Sequence, residues 1–124
     1  NYPIYHTNVM MSLGKKTAFL CSESIKNKAD NLLIKNYFKD LEKNIIEIST
    51  EQMNNFAGNV IEVENGKGES HIIMSDSAHK ALDHKQLDSI SSVANIIAIP
   101  LRTIERYGGG SARCMIAEIF LEKN

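Results

Sequence analysis

The sequence predicts a mixed α/β fold built from repeated strand–strand–helix–strand (ββαβ) units. Short stretches with a hydrophobic period of two and longer stretches with a helical period follow one another in the same order twice along the chain. Two motifs also recur. Asn8-Val9 matches Asn59-Val60, and Cys21-Ser22-Glu23-Ser24 matches Met74-Ser75-Asp76-Ser77, at offsets of 51 and 53 residues. Together these observations predict an internal repeat with a period of about 50 residues.

The first predicted unit contains a hairpin, a helix and a short strand. Alternation predicts a strand from Ile4 to Met11, with His6 and Asn8 on the same face. A turn at 13–16 and a buried strand at 17–21 complete the hairpin. The period becomes helical from 27 to 43, and a strand follows at 45–48. The apolar stripe predicted to face the core comprises Ala29, Leu33, Tyr37 and Leu41, flanked by Ile34 and Phe38.

The second predicted unit repeats this order. Ser49 and Gln52 have the spacing of a capping box for a short helix, and Asp83 and Gln86 have the same spacing before a later helix. Strands are predicted at 59–64, 71–74 and 96–99, and helices at 77–82 and 83–93. A partial third unit is predicted at 102–124, with a strand at 115–121.

Repeat architectures bury their apolar faces against neighbouring units, so two units seldom form a whole protein. The sequence therefore predicts that residues 1–124 are the C-terminal portion of one larger domain. In that interpretation, units at 1–50 and 51–101 follow others that precede Asn1. We expect the missing N-terminal half to be a partner of this chain. We also expect a homo-oligomer, because truncation leaves apolar inter-unit edges uncovered.

Composition disfavours several classes of function. The formal charge of -1 gives no electrostatic reason to expect a nucleic-acid partner. No apolar run approaches the roughly 20 residues needed to cross a bilayer, so no membrane partner is expected. Two cysteines in a chain of this size favour a reduced, cytoplasmic setting. The four histidines are not spaced like metal ligands, so we expect neither a metal nor a cofactor.

The segment from Arg106 to Cys114 contains the chemically most informative residues. Three consecutive glycines, Gly108 to Gly110, favour a sharp turn or a close approach to the backbone. Arg106 and Arg113 flank the cysteine, and a nearby cation favours the reactive thiolate form. Cys114 is therefore a candidate nucleophile, although a buried structural cysteine after a flexible loop is the alternative. Cys21 lies within a hydrophobic strand and is predicted to belong to the core.

His6 is the histidine considered for an acid–base role. On the predicted strand it shares a face with Asn8, whose amide can orient an imidazole or a ligand. A single histidine on a strand face is more often a satisfied polar residue than a catalytic one. Only the fold can bring His6 near Cys114.

Three segments resemble a known family. Tyr5-His6-Thr7-Asn8-Val9-Met10-Met11, Phe56-Ala57-Gly58-Asn59 and Gly108-Gly109-Gly110-Ser111-Ala112-Arg113-Cys114-Met115 are similar to the C-terminal half of the amidinotransferase and arginine deiminase superfamily. The resemblance implies the pentein fold, a five-bladed α/β propeller of ββαβ units. This chain would hold about two and a half of the five units.

The resemblance also implies a chemistry on the guanidino group of a small molecule. Cys114 would attack the guanidinium carbon as a thiolate, and His6 would protonate the departing amine and then activate water or an acceptor amine. A covalent thiouronium intermediate would lie between the two steps. Asn8, Arg106 and Gly110 are the implied substrate-binding residues. Hydrolysis and amidino transfer both stay open.

The chain departs from the family pattern at two places. Asn8 stands where the family often has an acid, and residues 111–113 separate the glycines from the cysteine. Both differences leave the substrate unassigned. The resemblance implies that the carboxylates that clamp the guanidinium come from the family's N-terminal half, outside this chain. The nearest available acids in this chain are expected at the surface: Glu62, Glu64, Glu105 and Glu118.

Two other classes of protein remain as alternatives. One is a non-catalytic pentein-fold binding protein that resembles the ribosome anti-association factors, which would not need both Cys114 and His6. The other is an unrelated Cys-His hydrolase, for which the usual local sequence signatures are lacking.

Overall fold

The computed structural model describes residues 3–119, which form two three-stranded sheets with the same strand order and directions. In the first sheet, β1 (Met11–Leu13) pairs antiparallel with β2 (Thr17–Leu20), which pairs parallel with β3 (Asn44–Glu47). The second sheet repeats this pattern with the strands β4 (Ile61–Glu64), β5 (Ser70–Ser75) and β6 (Asn95–Ile99). A mixed α/β structure with two ββαβ arrangements is therefore present.

Helices connect the parallel strands, because a parallel pair needs a long crossover. The crossover between β2 and β3 is α2, and the crossover between β5 and β6 is the pair α4 and α5. The α-helices are α1 (Thr7–Met10), α2 (Lys28–Asp40), α3 (Thr50–Asn54), α4 (Asp76–Ala81), α5 (His84–Ser91) and α6 (Arg102–Gly108), and 3₁₀ turns span Ser22–Ser24 and Ala112–Met115. Within residues 3–119, no helix has the length and apolar character needed to cross a membrane.

Both capping boxes predicted from the sequence are present. The Ser49 side chain accepts a hydrogen bond from the Gln52 N–H, and Asp83 does the same for Gln86. The side chains of Gln52 and Gln86 also bond to each other, at 2.7 and 3.0 Å. This amide pair joins the starts of α3 and α5 and so holds the two helices next to one another.

A continuous apolar core lies between the two sheets and the short helices. Cys21 is fully buried in it, as predicted. A smaller cluster of Ala18, Leu20 and Phe38 lies beneath α2. The main cluster comprises Phe19, Cys21, Ile46, Ile48, Met53, Ala57, Val60, Ile72, Met74, Ala78, Leu82, Ile90 and Ala94.

The prediction of which face of α2 packs against the core is wrong. Phe38 is buried and Ile34 is half-buried, so the helix turns this side toward the first sheet. The other members of the predicted stripe are exposed: Ala29, Leu33, Tyr37 and Leu41. Apolar residues occupy two adjacent sides of this helix, and their spacing fits either side. Contact with β2 and β3 selects the side that carries Phe38.

Two predicted strands are also wrong. Within residues 4–11, the segment Thr7–Met10 is helical because the His6 side chain caps it, and strand pairing begins only at Met11. At the other end, Ala112–Met115 forms a 3₁₀ turn, and 116–119 are in no strand. The rest of the strand predicted at 115–121 lies outside the described residues.

Polar contacts link the two hairpins. Lys15 Nζ lies 2.8 Å from Glu64 Oε2, and Thr17 Oγ1 donates to Glu62 Oε2 at 3.2 Å. The hydrogen bond from Lys15 holds the pKa of the Glu64 carboxyl below its ordinary value and raises the pKa of Lys15. Both of these charged groups are exposed, so the pair orients the hairpins more than it stabilises them.

Gly58 lies against the backbone of α1. A Cβ at this position would lie 3.1 Å from the carbonyl carbons of Val9 and Met10, and closer still to the Val9 oxygen. We expect Gly58→Ala to lower the free energy of unfolding by about 1–3 kcal/mol, because the backbone must shift to admit the methyl group. Denaturant titration measures this change. The control is Gly66→Ala, where a Cβ meets nothing within 4 Å; equal unfolding midpoints for the two variants would contradict the close approach.

Candidate active site

Cys114 lies in the 3₁₀ turn that follows α6 and is exposed. The helix ends where Gly109 adopts a left-handed conformation with φ 68°, which glycine tolerates readily. Gly110 then packs on the cysteine, since a Cβ at Gly110 would lie 2.9 Å from the Cys114 sulfur. The alternative of a buried structural cysteine is therefore wrong for Cys114, and the glycines let the loop fold tightly around an accessible thiol.

Asn59 is the centre of a hydrogen-bond network beneath this thiol. Its side chain lies just before β4, and the residue is only 4% exposed. The Nδ2 group donates to the Cys114 sulfur at 3.1 Å and to the Asn8 carbonyl oxygen at 3.1 Å. The Oδ1 atom accepts the Ser111 N–H at 3.1 Å. One buried amide thus joins the start of α1, the glycine loop and the thiol.

His6 is the N-cap residue of α1, and its ring is exposed. Its Nδ1 atom accepts the Asn8 N–H at 3.1 Å. A neutral ring that accepts at Nδ1 carries its proton on Nε2. In this arrangement the ring presents an N–H group at Nε2, and Nδ1 must leave the cap before the ring can be doubly protonated.

The structure brings the segment that carries His6 against the loop that carries Cys114. Tyr5 Oη donates to the Gly109 carbonyl oxygen at 2.9 Å, and Asn59 forms the second bridge, between Asn8 and Cys114. Within residues 3–119, no hydrogen bond joins the His6 ring directly to the sulfur. The two groups are held on adjacent segments by their neighbours.

The predicted substrate-binding residues occupy different settings. Asn8 is half-buried and contributes its backbone N–H and carbonyl to the network, so the argument that it shares a strand face with His6 is wrong. The Arg106 guanidinium lies 5.3 Å from the centroid of the neighbouring Tyr107 ring, on the exposed side of α6. Gly110 touches Cys114. A role in substrate binding stays a prediction for all three residues.

Glu105 is not a surface residue, contrary to the sequence prediction. It is 9% exposed, and its carboxylate accepts Ser111 Oγ at 2.7 Å and Ser77 Oγ at 2.8 Å. These bonds hold the glycine loop to the start of α4. Sequence reasoning missed this because Ser77 lies 28 residues from Glu105 along the chain, and no local pattern links the carboxylate to either serine.

Glu62 is also less exposed than predicted. It is half-buried, and its Oε1 atom is inaccessible and without a hydrogen-bond partner among residues 3–119. The other two acids expected at the surface, Glu64 and Glu118, are exposed. In the part of the chain that the structure describes, no group of three His, Cys, Asp or Glu side chains is arranged to hold a metal ion.

Asn59 is the site residue that the sequence prediction did not assign. Two signals pointed toward it: its place in the segment 56–59 and its correspondence to Asn8 in the internal repeat. Neither signal predicts that its amide lies under the thiol.

Comparisons with known proteins bear on the family and the fold of this chain. A sequence model of the family described as "N,N dimethylarginine dimethylhydrolase, eukaryotic" matches residues 1–121. Among solved structures, the chain is similar to the apo structure of ArgZ, an arginine dihydrolase from the ornithine–ammonia cycle in cyanobacteria, with a TM-score of 0.67 and 18% sequence identity. The match covers 96% of this chain but only 18% of that one, and at this identity it bears on the fold alone. A comparison with curated protein sequences finds no match.

Proposed function

Because this chain belongs to the N,N-dimethylarginine dimethylhydrolase family of the pentein superfamily, we propose that it hydrolyses the guanidino group of a small molecule, with Cys114 as the nucleophile. The observation that supports this most directly is the exposed Cys114 sulfur, which accepts a hydrogen bond from a buried amide beside the segment that carries His6. Hydrolysis is preferred to amidino transfer because the family is described by a hydrolytic activity.

The proposed reaction has two steps. The Cys114 thiolate attacks the guanidinium carbon, a carbon–sulfur bond forms, and the carbon–nitrogen bond to the departing amine breaks as that nitrogen takes a proton from His6. The remaining thiouronium carbon is then attacked by water, which gives a proton to His6. Breakage of the carbon–sulfur bond restores the thiolate, and loss of the remaining hydroxyl proton to solvent gives the ureido product.

His6 must change its hydrogen bonding to take this part. The general acid is a doubly protonated ring, and a doubly protonated ring cannot accept the Asn8 N–H at Nδ1. We therefore propose that substrate binding releases the His6 cap. The helix that it caps, α1, has only four residues, so few backbone hydrogen bonds oppose this release.

The larger architecture is part of the same proposal. We infer that the two ββαβ arrangements are neighbouring blades of a pentein propeller within one domain. The similar strand order of the two sheets and the likeness to the ArgZ structure support this inference. Homo-oligomerisation, association with an N-terminal half and a cytoplasmic location stay predictions. In an oligomer, we expect the contact to involve the exposed apolar side chains of α2, among them Leu33 and Tyr37.

A product assay tests the proposed function. The intact protein is incubated with N-methylated arginines, with arginine and with smaller guanidino compounds, and the ureido product and released amine are quantified separately. We expect equal amounts of both products from at least one compound. Formation of a new guanidino compound only when an acceptor amine is added would show transfer, and the absence of both products across the panel would contradict the proposal.

A further inference from the structure

The orientation of the Asn59 side chain is fixed by two backbone groups that each have a single hydrogen-bonding role. The Ser111 N–H can only donate, so the atom that faces it must be Oδ1. The Asn8 carbonyl can only accept, so the atom that faces it must be Nδ2. Reversing the amide would lose both hydrogen bonds, and the 4% exposure of the residue leaves little water to replace them.

This orientation determines what the sulfur can do. One Nδ2 hydrogen is directed at the Asn8 carbonyl oxygen, and the other is directed at the Cys114 sulfur, 3.1 Å away. The sulfur is therefore held as a hydrogen-bond acceptor. A donor that bonds to the charged form of a group favours that form, and for a thiol the charged form is the thiolate.

We propose that Asn59 is a positioning residue that holds the Cys114 sulfur as a hydrogen-bond acceptor and thereby favours its thiolate. The proposal deepens the proposed function and rests on it, because a thiolate at Cys114 is the nucleophile of that reaction. The same amide donates to the carbonyl oxygen of Asn8, the residue whose N–H is capped by His6. Because Asn59 is only 4% exposed, we place it behind the sulfur, where it acts through Cys114.

Alkylation by iodoacetamide tests this proposal without any substrate. The thiolate displaces iodide, so a sulfur–carbon bond forms as the carbon–iodine bond breaks, and the rate follows the thiolate population. Cys114 is exposed and Cys21 is buried, so Cys114 is the thiol that reacts in the folded protein. Cys114→Ser gives the background rate from Cys21.

The informative variant is Asn59→Asp, which keeps the shape of the side chain but replaces the donor by an acceptor with negative charge. We expect the midpoint of its pH–rate profile for alkylation to rise by about one pH unit or more and the rate at neutral pH to fall by about tenfold or more. In the product assay, kcat is expected to fall more than KM rises, since the buried Asn59 amide acts on the sulfur.

Asn44→Asp is the matched control. Asn44 Nδ2 also bridges two distant elements, since it donates to Ser89 O at 3.2 Å and Ser89 Oγ at 2.9 Å, but it makes no contact with Cys114. Its alkylation profile is expected to match that of the unaltered protein. A folded Asn59→Asp protein whose profile also matches would overturn the proposal.

A second measurement avoids the risk that Asn59→Asp does not fold. In the unaltered protein, the NMR signals of the Asn59 side-chain NH₂ group are expected to shift with pH at the same midpoint as alkylation, whereas those of Asn44 stay constant. Asn59 signals that do not respond as Cys114 ionises would overturn the proposal.

The outcomes separate this inference from the proposed function. If the protein releases no ureido product but the Asn59→Asp profile shifts, the positioning role stands and the hydrolase proposal fails. If turnover is found and the alkylation profile is insensitive to Asn59, the hydrolase proposal stands and the positioning role fails.

Discussion

Replacing Cys114 with alanine is expected to lower kcat of the intact protein by at least about four orders of magnitude, because covalent catalysis has no other nucleophile in this network. The stability of the fold should change little. The side chain is exposed, and the one hydrogen bond it makes among residues 3–119 comes from an Asn59 amide that keeps two other partners. Steady-state release of the ureido product measures the activity, and circular dichroism on heating measures the stability.

Cys21→Ala serves as the matched control for this prediction. Cys21 is fully buried in the main core, so its replacement is expected to reduce stability through a small cavity while leaving catalysis in place. If Cys114→Ala retained activity and a folded Cys21→Ala protein lost it, the nucleophile would be Cys21 and the prediction would be contradicted.

The second large effect is expected at His6, where two substitutions separate catalysis from helix capping. Asparagine is a good N-cap residue but cannot act as an acid or base near neutral pH, so His6→Asn should keep α1 intact. We expect kcat to fall by about 10²–10⁴-fold in this variant, the usual range for loss of a general acid–base group. His6→Ala should lose the same activity and also about 0.5–2 kcal/mol of stability, because the cap is gone.

A substrate analogue with a different leaving group provides the control for His6. In a guanidino analogue whose leaving group is a thiolate, the leaving group departs without a proton, so the first step does not need the acid. His6→Asn is therefore expected to release this thiolate at a rate close to that of the unaltered protein. Equal impairment of the His6→Asn protein with both kinds of substrate would show that His6 does not serve as the acid.

Local signals allowed much of the fold to be predicted. The boxes Ser49 to Gln52 and Asp83 to Gln86 are defined by residues three apart, and both form as expected. The succession of strands and helices along the chain could be predicted because two hydrophobic patterns recur in one sequence. The burial of Cys21 follows from its place in a continuous apolar run.

Features that depend on distant contacts could not be predicted. The segment from Thr7 to Met10 alternates like a strand, but the His6 cap begins a helix there, and histidine is not among the residues that usually signal a cap. The buried side of α2 is selected by contact with its sheet. Burial of Glu105 depends on serines in two other segments. In each case the sequence pattern fits two structures, and tertiary contacts determine which one forms.

The candidate site shows the same division. Cys114 and the glycines before it stand out within a few residues of sequence. The amide that organises the site does not, because the partners of Asn59 lie 51, 52 and 55 residues away along the chain. No local sequence pattern marks a buried asparagine. The three side-chain hydrogen bonds of Asn59 form only after the two hairpins and the glycine loop have packed together.

The covalent intermediate gives the most direct test of a cysteine-dependent guanidino hydrolase. In His6→Asn treated with the thiolate-releasing analogue, the first step should proceed, while attack by water should be slow for lack of a base. Acid quenching followed by peptide mass analysis is then expected to find the amidino group attached to the peptide that contains Cys114, in near-stoichiometric amount, and not in the Cys114→Ala protein. Release of the thiolate with an unmodified Cys114 peptide, under conditions where the analogue is turned over, would contradict the account.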